Sequence, residues 1–217
     1  MKLNWANRVT ILRIFLIVPF VSCMLKANDA DLTEVMRNAV RYAAFAIFLA
    51  MAVSDGFDGY LARRKKQITS LGAFLDPVAD KLLITSACLL LSSQRGGVDG
   101  FLLPPTVVVL IIGKDLFLLI GFVIVYFITS QIRIAPVLVG KIATALQLSM
   151  VAGILIAPDV SGFFAGWIWF LRTLWWSAAG AAVLATLIYI RNGSRYIEEY
   201  EQGPGENQKD EKAEVIE

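Results

Sequence analysis

Four aspartates lie at helical spacing on two consecutive apolar segments of the chain. Asp55 and Asp58 are three residues apart, and Asp76 and Asp80 are four apart. Residues at these spacings share a helix face, so the two members of each pair point the same way. A carboxylate at the centre of a membrane-spanning helix costs roughly 2.5–3.5 kcal/mol. A chain that keeps four of them is therefore expected to use them to bind a metal ion.

The candidate ligands are all oxygens, which selects hard cations such as Mg²⁺ or Mn²⁺. In proteins these ions usually occur together with the phosphates of a substrate. Four carboxylates suffice for one or two ions, and we expect two. Asp55 precedes the basic residue Arg63 by eight positions, which is about 12 Å along a helix. The metal site is therefore expected just below the membrane surface, within reach of soluble substrates and lipid headgroups.

Small residues accompany the aspartates at Gly56, Gly59, Ala62 and Gly72. They leave space for a phosphate or nucleotide to approach the backbone, and Arg63 supplies a forked donor for phosphate. Close helix packing is an alternative reason for small residues. A second alternative is that the aspartates line the ion or proton pathway of a transporter. Such a pathway does not require this spacing of glycine and arginine, so a phosphate site is favoured.

The aspartates belong to a chain with the composition of a membrane protein. Of its 217 residues 57% are hydrophobic, and the mean hydropathy is +0.65. Apolar runs of about 20 residues suit a hydrocarbon core about 30 Å thick. We predict an all-α integral membrane protein with six transmembrane helices, at residues 9–27, 39–62, 73–93, 103–128, 138–157 and 167–190. Residues 1–8 predict a short interfacial segment before the first helix.

The placement of lysine and arginine predicts the orientation of these helices. Four consecutive basic residues, 63–66, follow the second run, and basic residues also flank the first run and the exit of the last. Both termini and the turn at 63–72 are therefore expected in the cytoplasm. An aromatic belt is expected at the opposite interface, formed by Trp167, Trp169, Trp175 and Trp176.

Composition also excludes several kinds of chemistry. The chain has no histidine, which excludes Ser-His-Asp hydrolysis, His-ligated zinc or haem, and phosphohistidine intermediates. Acid–base chemistry must come from Asp, Glu, Lys, Tyr or bound water. The net charge of +2 gives no indication of a nucleic-acid partner.

Two regions are expected along the chain. Residues 1–197 are predicted to form the transmembrane domain. Residues 198–217 are charged, poor in aromatic residues and interrupted by Gly-Pro-Gly, which predicts a disordered acidic tail in the cytoplasm.

The segment from Asp58 to Asp80 has the pattern D-G-x-x-A-R, eight residues, then G-x-x-x-D-x-x-x-D. It resembles the signature of the CDP-alcohol phosphatidyltransferases, with Asp55 as the further aspartate of that family. The resemblance covers nearly the whole chain. Residues 7–13, N-R-V-T-I-L-R, are similar to the family's P-N-x-L-T-x-x-R, with Ala6 in place of the proline.

The resemblance implies a role for each residue of the signature. The four aspartates would bind the metal ions, and Asp80 would also be the base that deprotonates the acceptor hydroxyl. The cytidine diphosphate part of the donor would contact Asp55, Gly59, Ala62, Arg63, Gly72 and Thr10. The implied reaction transfers a phosphatidyl group from CDP-diacylglycerol to an alcohol and releases CMP. The implied membrane is a bacterial inner membrane, with the site facing the cytoplasm, and the implied assembly is a homodimer.

The acceptor is the part that the resemblance leaves most open. Residues 140–147 are similar to the G-K-x-x-T-x-x-Q element of family members whose acceptor carries phosphate, which implies acceptor contacts from Lys141, Thr144 and Gln147. Arg133 in the preceding turn would add a second charge. A lysine that snorkels to the membrane interface is an alternative reading of Lys141.

Glycerol 3-phosphate is the first expectation for the acceptor, with phosphatidylglycerophosphate as product. Lys114 and Asp115 stand where phosphatidylglycerophosphate synthases often have Arg-Glu, and an internal ion pair is the alternative role for them. The CMP-forming cardiolipin synthases, whose acceptor is phosphatidylglycerol, share similar elements and form the second expectation. An ion-coupled transporter is the alternative outside the enzymes.

Overall fold

The structure is a computed structural model that describes residues 5–65, 70–129 and 138–201, and the side chains of residues 9–54, 78–121 and 138–195. Within these ranges the chain forms helices and no strand, which confirms the all-α prediction. The helices are α1 (Trp5–Lys26), α2 (Glu34–Lys65), α3 (Ser70–Ser92), α4 (Pro105–Thr129), α5 (Leu138–Leu155), α6 (Ala157–Ser161) and α7 (Trp167–Glu201).

Four of these helices contain a segment that is long and apolar enough to cross a bilayer. In the described part of the chain these segments are Val9–Lys26, Glu34–Ser54, Leu138–Leu155 and Trp167–Arg195. They correspond to four of the six predicted spans. The helices α3 and α4, of 23 and 25 residues, coincide with the other two. Six transmembrane helices therefore stay a prediction.

Several helix ends differ from the prediction. Residues 5–8 belong to the same helix, α1, as the candidate span Val9–Lys26, and an interfacial position for residues 1–8 stays a prediction. The final helix, α7, extends to Glu201 and so includes residues 198–201, which were predicted as tail. At 32 and 35 residues, α2 and α7 are about 48 Å and about 52 Å long. Helical hydrogen bonding thus continues past the apolar runs that defined the predicted spans.

The turns between helices are held by side chains. Thr33 precedes α2, and its hydroxyl oxygen accepts a hydrogen bond from the backbone N–H of Met36 at 3.4 Å, as an N-cap residue does. Pro105 occupies the first position of α4, where its missing N–H costs nothing. The Asn28 amide donates to the carbonyl oxygen of Gly97 at 2.5 Å. The turn after α1 is therefore tied to the turn after α3.

Two groups of helices pack together around one core. The helix α1 lies against both α2 and α3, and α7 lies against both α4 and α5. Contacts of α3 with α4 and α5, and of α2 with α5, join the groups. The rings of Phe20 and Phe48 pack at 5.9 Å between centroids, and Leu83, Ile111 and Met150 bring the other helices into the same cluster.

Of the four tryptophans predicted to form an aromatic belt, two are exposed as a belt requires and two make contacts inside the protein. Trp169 and Trp176 are exposed, and Arg172 lies 4.9 Å from the ring centroid of Trp169. Trp175 is buried in the core, and the indole of Trp167 donates to the carbonyl oxygen of Gly153 at 3.3 Å. Neighbouring tryptophans on one helix point in different directions, so they could not all face lipid.

An ion pair holds the first turns of α2 against the segment around α6. The guanidinium of Arg41 is buried and lies 3.0 Å from Asp159, and it also donates to the carbonyl oxygen of Leu155 at 3.5 Å. Tyr42 donates its hydroxyl hydrogen to Asp159 at 2.5 Å. The Asp159 carboxylate thus accepts hydrogen bonds from two neighbouring side chains of α2.

We expect Arg41→Met to lower the free energy of unfolding by about 1–2 kcal/mol, because it removes the partner of Asp159. The loss is smaller than for a fully buried pair because the Asp159 side chain is 38% exposed. Thermal unfolding in detergent measures the effect. Arg37→Met, at an exposed position one turn earlier, is the matched control and should leave Tm nearly unchanged. Equal Tm values for the two variants would contradict the ion pair's contribution.

We expect Gly153→Leu to separate α5 from α7. A Cβ at Gly153 would lie 3.0 Å from Cδ2 of Leu171, and overpacking of this kind costs about 1–3 kcal/mol. In Gly180→Leu the new Cβ meets no heavy atom within 4 Å in the described part of the chain, so this variant should unfold near the wild-type temperature. A lower Tm for Gly180→Leu than for Gly153→Leu would contradict the close packing of α5 against α7 at Gly153.

Candidate active site

The structure places the four aspartates on the two helices that sequence spacing predicts. Asp55 and Asp58 lie in α2, and Asp76 and Asp80 lie in α3. Both helices pack against α1. Of the four side chains, that of Asp80 lies within the described residues, and the other three lie outside them. Convergence of all four carboxylates therefore stays a prediction.

The predicted donor and acceptor residues divide in the same way. Thr10, Lys141, Thr144 and Gln147 have described side chains. The side chains of Gly59, Ala62, Arg63 and Gly72 fall outside the described residues, as does the whole of Arg133. What the structure reports is therefore the burial of Asp80 on α3, the helix α1 that packs against α3, and the acceptor element on α5.

Asp80 projects from the core face of α3. Leu83, Ile84 and Ala87 follow it at three, four and seven positions, and all three are buried. Residues at these spacings share one face of a helix. Asp80 itself is half-buried, so the residue lies at the inner face of the bundle without being fully enclosed. A carboxylate in such a place can accept a proton or hold a cation.

Two polar residues of α1 lie on the face that packs against α2 and α3. Thr10 is 1% exposed and Arg13 is 2% exposed, and both make contacts inside the protein. They share their helix face with the core residues Phe20 and Met24. A buried guanidinium beside the helices that carry the aspartates suits an anionic substrate. In the sequence, Arg13 is the last residue of the N-terminal element that resembles the family's P-N-x-L-T-x-x-R.

The acceptor element forms a slanted row on α5 from the surface into the core. Lys141 is exposed, Thr144 is half-buried, and Gln147 is fully buried. The Thr144 hydroxyl donates to the carbonyl oxygen of Gly140 at 3.2 Å. Both the oxygen and the nitrogen of the Gln147 amide find no hydrogen-bond partner within the described residues. Since buried amides are nearly always satisfied, this amide has capacity for a ligand or a water.

Tyr189 of α7 closes over the start of this element, a contact that sequence analysis did not find. Its hydroxyl oxygen lies 3.3 Å from the place that a Cβ would occupy on Gly140. A larger residue at Gly140 would push the ring away. The pairing joins residues 49 positions apart in the sequence, so no local pattern indicated it.

Lys114 and Asp115 form the internal ion pair that was one of the two expectations. Lys114 Nζ lies 3.0 Å from Oδ1 of Asp115, and Lys114 is buried. A third residue joins them, since Lys81 Nζ of α3 lies 2.7 Å from the same oxygen. Sequence analysis missed Lys81 because it is separated from Asp115 by the turn between α3 and α4.

The chemistry of the candidate ligands fits a divalent cation. The four aspartates offer only carboxylate oxygens, the donors that Mg²⁺ and Mn²⁺ prefer. No group of three or more ligand-type side chains occurs within the described residues, and of the four aspartates only Asp80 has a described side chain. Asp80 is the described member, and its half-buried position on the core face suits a ligand.

Comparison with known proteins identifies the kind of enzyme. The family model of the CDP-alcohol phosphatidyltransferases matches residues 3–188. A protein of Bacillus subtilis (strain 168) named CDP-diacylglycerol–glycerol-3-phosphate 3-phosphatidyltransferase is 34% identical over 156 residues, 70% of this chain and 77% of its own.

Two further relatives have the same name and match shorter stretches. That of Pseudomonas fluorescens is 40% identical over 114 residues, 52% of each chain. That of Escherichia coli (strain K12) is 55% identical over 53 residues, 24% of this chain and 29% of its own. With a family match that extends over most of its length, the chain is a transferase that belongs to the CDP-alcohol phosphatidyltransferase family.

Proposed function

We propose that the protein transfers a phosphatidyl group from CDP-diacylglycerol to glycerol 3-phosphate in a metal-dependent reaction, releasing CMP and forming phosphatidylglycerophosphate. The observation that carries this proposal is the 34% identity over 70% of the chain to a relative named for that activity. The position of Asp80 on the core face of α3 supports it, because α3 packs against the helix that carries the acceptor element.

Asp80 is the base in this proposal. Its half-buried carboxylate takes the proton of the acceptor hydroxyl, and the resulting oxygen attacks the phosphorus of the donor next to the diacylglycerol. The bond from that phosphorus to the CMP oxygen breaks, and CMP leaves. A base must lie within hydrogen-bond reach of the proton that it removes. The contact of α3 with α5 provides a reason for Asp80 and the acceptor to be neighbours.

Asp55, Asp58, Asp76 and Asp80 would hold one or two Mg²⁺ or Mn²⁺ ions. When bound, such ions neutralise the pyrophosphate and stabilise the CMP leaving group. The cytidine diphosphate part of the donor is proposed to lie against Thr10 of α1 and against the small residues of α2 and α3. Arg63 would donate to its phosphates. The buried guanidinium of Arg13, one turn from Thr10, adds positive charge on the same side.

The acceptor element suits a small phosphorylated alcohol. Exposed Lys141 would meet the phosphate, and the free amide of Gln147 would hydrogen-bond a hydroxyl deeper in the protein. Arg133, from the preceding turn, is proposed as a second charge for the phosphate. The three relatives described above are named for glycerol 3-phosphate as acceptor, which favours it over phosphatidylglycerol.

The remaining proposals concern the membrane. The basic turn after α2 favours an orientation with the site facing the cytoplasm, where a water-soluble acceptor is supplied. The relatives are bacterial proteins, which favours the bacterial inner (cytoplasmic) membrane. A homodimer through the membrane spans is proposed from the resemblance to the family.

We expect purified protein in mixed micelles to release CMP from CDP-diacylglycerol only with both a divalent cation and glycerol 3-phosphate. Asp80→Asn should lower turnover by at least about 10²-fold, because it removes the base. The matched control is Asp99→Asn, which alters an exposed aspartate in the turn after α3 and should keep wild-type turnover. Release of CMP is measured with Mg²⁺, with Mn²⁺ and with chelator.

Each component of the proposal has its own contrary result. Activity in chelator contradicts the metal site. Full activity of Asp80→Asn contradicts the role of Asp80 as base. Product that forms with phosphatidylglycerol and not with glycerol 3-phosphate contradicts the choice of acceptor and identifies a cardiolipin synthase. Cation flux across vesicles without any release of CMP would instead support the transporter.

We expect Gln147→Leu to weaken binding of the acceptor without lowering the stability of the protein. Removing a buried amide that has no hydrogen-bond partner among the described residues should leave Tm unchanged or raise it. Loss of an acceptor contact should raise KM for glycerol 3-phosphate about tenfold. Met150→Leu, a swap of similar volume on the same buried face, is the control and should change neither. If Gln147→Leu keeps the wild-type KM, the amide does not contact the acceptor.

A further inference from the structure

The ion-pair cluster of Lys81, Lys114 and Asp115 joins two helices next to the proposed base. Lys81 Nζ of α3 and Lys114 Nζ of α4 lie 2.7 Å and 3.0 Å from one oxygen of Asp115. The Asp115 side chain is 12% exposed and that of Lys114 is 3% exposed. Lys114 and Asp115 therefore lie inside the helix bundle, and Lys81 reaches them from its edge.

The pairing of Asp115 with Lys81 is more than is needed to keep a charge inside the protein. Lys114 lies beside Asp115 on the same helix and already balances its charge. Lys81 is 35% exposed, so it could reach water without a partner. The cluster with Lys81 included has two ammonium groups and one carboxylate. Charge balance alone thus explains Lys114 but leaves the contact with Lys81 to another cause.

The ion pair of Lys81 with Asp115 attaches α3 to α4 at the residue after Asp80. Adjacent residues on a helix share one backbone segment, so fixing Lys81 also fixes the rotation and height of Asp80. On its other side Asp80 is preceded by Ala79, which is fully buried. The backbone that carries the Asp80 side chain is therefore held by core packing at Ala79 and by the ion pair at Lys81.

We propose, on the basis of the function proposed above, that Asp115 is a positioning residue that acts through Lys81 to hold Asp80 toward the acceptor. Proton abstraction depends on geometry, and a misplacement of about 1 Å can cost about 10²-fold in rate. In some proteins an ion pair between helices contributes more to specifying one arrangement than to net stability, and we assign that role to this pair.

The test compares turnover with substrate affinity. Lys81→Met and Asp115→Asn should each lower kcat for CMP release about ten- to a hundredfold, while KM for both substrates stays within about twofold. Lys81→Arg keeps the ion pair and should recover most of kcat. If Asp115→Asn does not fold, Lys81→Met decides the matter, because Asp115 then keeps Lys114 as its partner.

The described residues offer a matched control in a second ion pair with a buried member. Arg41 and Asp159 also join separate helices at 3.0 Å, and Arg41 precedes Asp55 by fourteen residues, about 21 Å along α2. Arg41→Met should lower Tm and leave kcat at the wild-type value. A purely structural role for Lys81 predicts the same pattern for Lys81→Met, so that result would overturn the proposal. A raised KM for glycerol 3-phosphate with normal kcat would also overturn it, since Lys81 would then bind substrate.

A second measurement keeps this inference separate from the proposed function. CMP release is followed with whichever acceptor the wild type accepts, so a wrong acceptor does not affect the comparison. The rise in Tm caused by Mn²⁺ is recorded for each variant without any substrate. If Asp80 is misplaced in Lys81→Met, Mn²⁺ should raise the Tm of that variant less than it raises the wild-type Tm. In Lys81→Arg, which keeps the ion pair, the rise should return to the wild-type value. An undiminished rise in Lys81→Met contradicts the positioning role even if no acceptor supports turnover.

Discussion

The cost of charge inside an apolar helix bundle is the constraint on which this structure depends. Each buried ionisable group must find a partner or hold a ligand, because water is not available to solvate it. Arg41 meets this requirement through Asp159, and Lys114 meets it through Asp115. The aspartates of the signature are the groups for which a cation is the natural partner. The same constraint therefore accounts for the structural ion pairs and for the proposed metal site.

Helix packing brings several helices that carry polar residues against α3, the helix of Asp80. The helix α1 contacts both helices that carry the aspartates, and α3 also contacts α4 and α5. Consequently α3 connects three sets of polar residues: those of α1 around Thr10, those of α4 at Asp115 and the acceptor element of α5. Asp80 lies on the core face of this central helix. A base in that position can serve a donor and an acceptor that approach from different helices.

Hydropathy predicted the helices well because the apolar runs are long and the backbone in a bilayer must bond to itself. It predicted their ends less well, since α2 and α7 continue through polar residues. It also placed four tryptophans in one belt, although Trp175 belongs to the core. Composition assigns a residue to a helix, but the direction of its side chain depends on the neighbouring helices. For the same reason the ion pair of Lys114 could be stated only as one of two possibilities.

The sequence by itself determined the family and the spacing of the aspartates, and it predicts the class of metal, because these follow from residue types along one or two helices. Only the tertiary structure decided which polar groups meet across helices. The pairing of Lys81 with Asp115, the closure of Tyr189 over Gly140 and the unsatisfied amide of Gln147 all belong to this second group. Contacts between distant segments depend on how helices rotate and cross, and local periodicity carries no information about either.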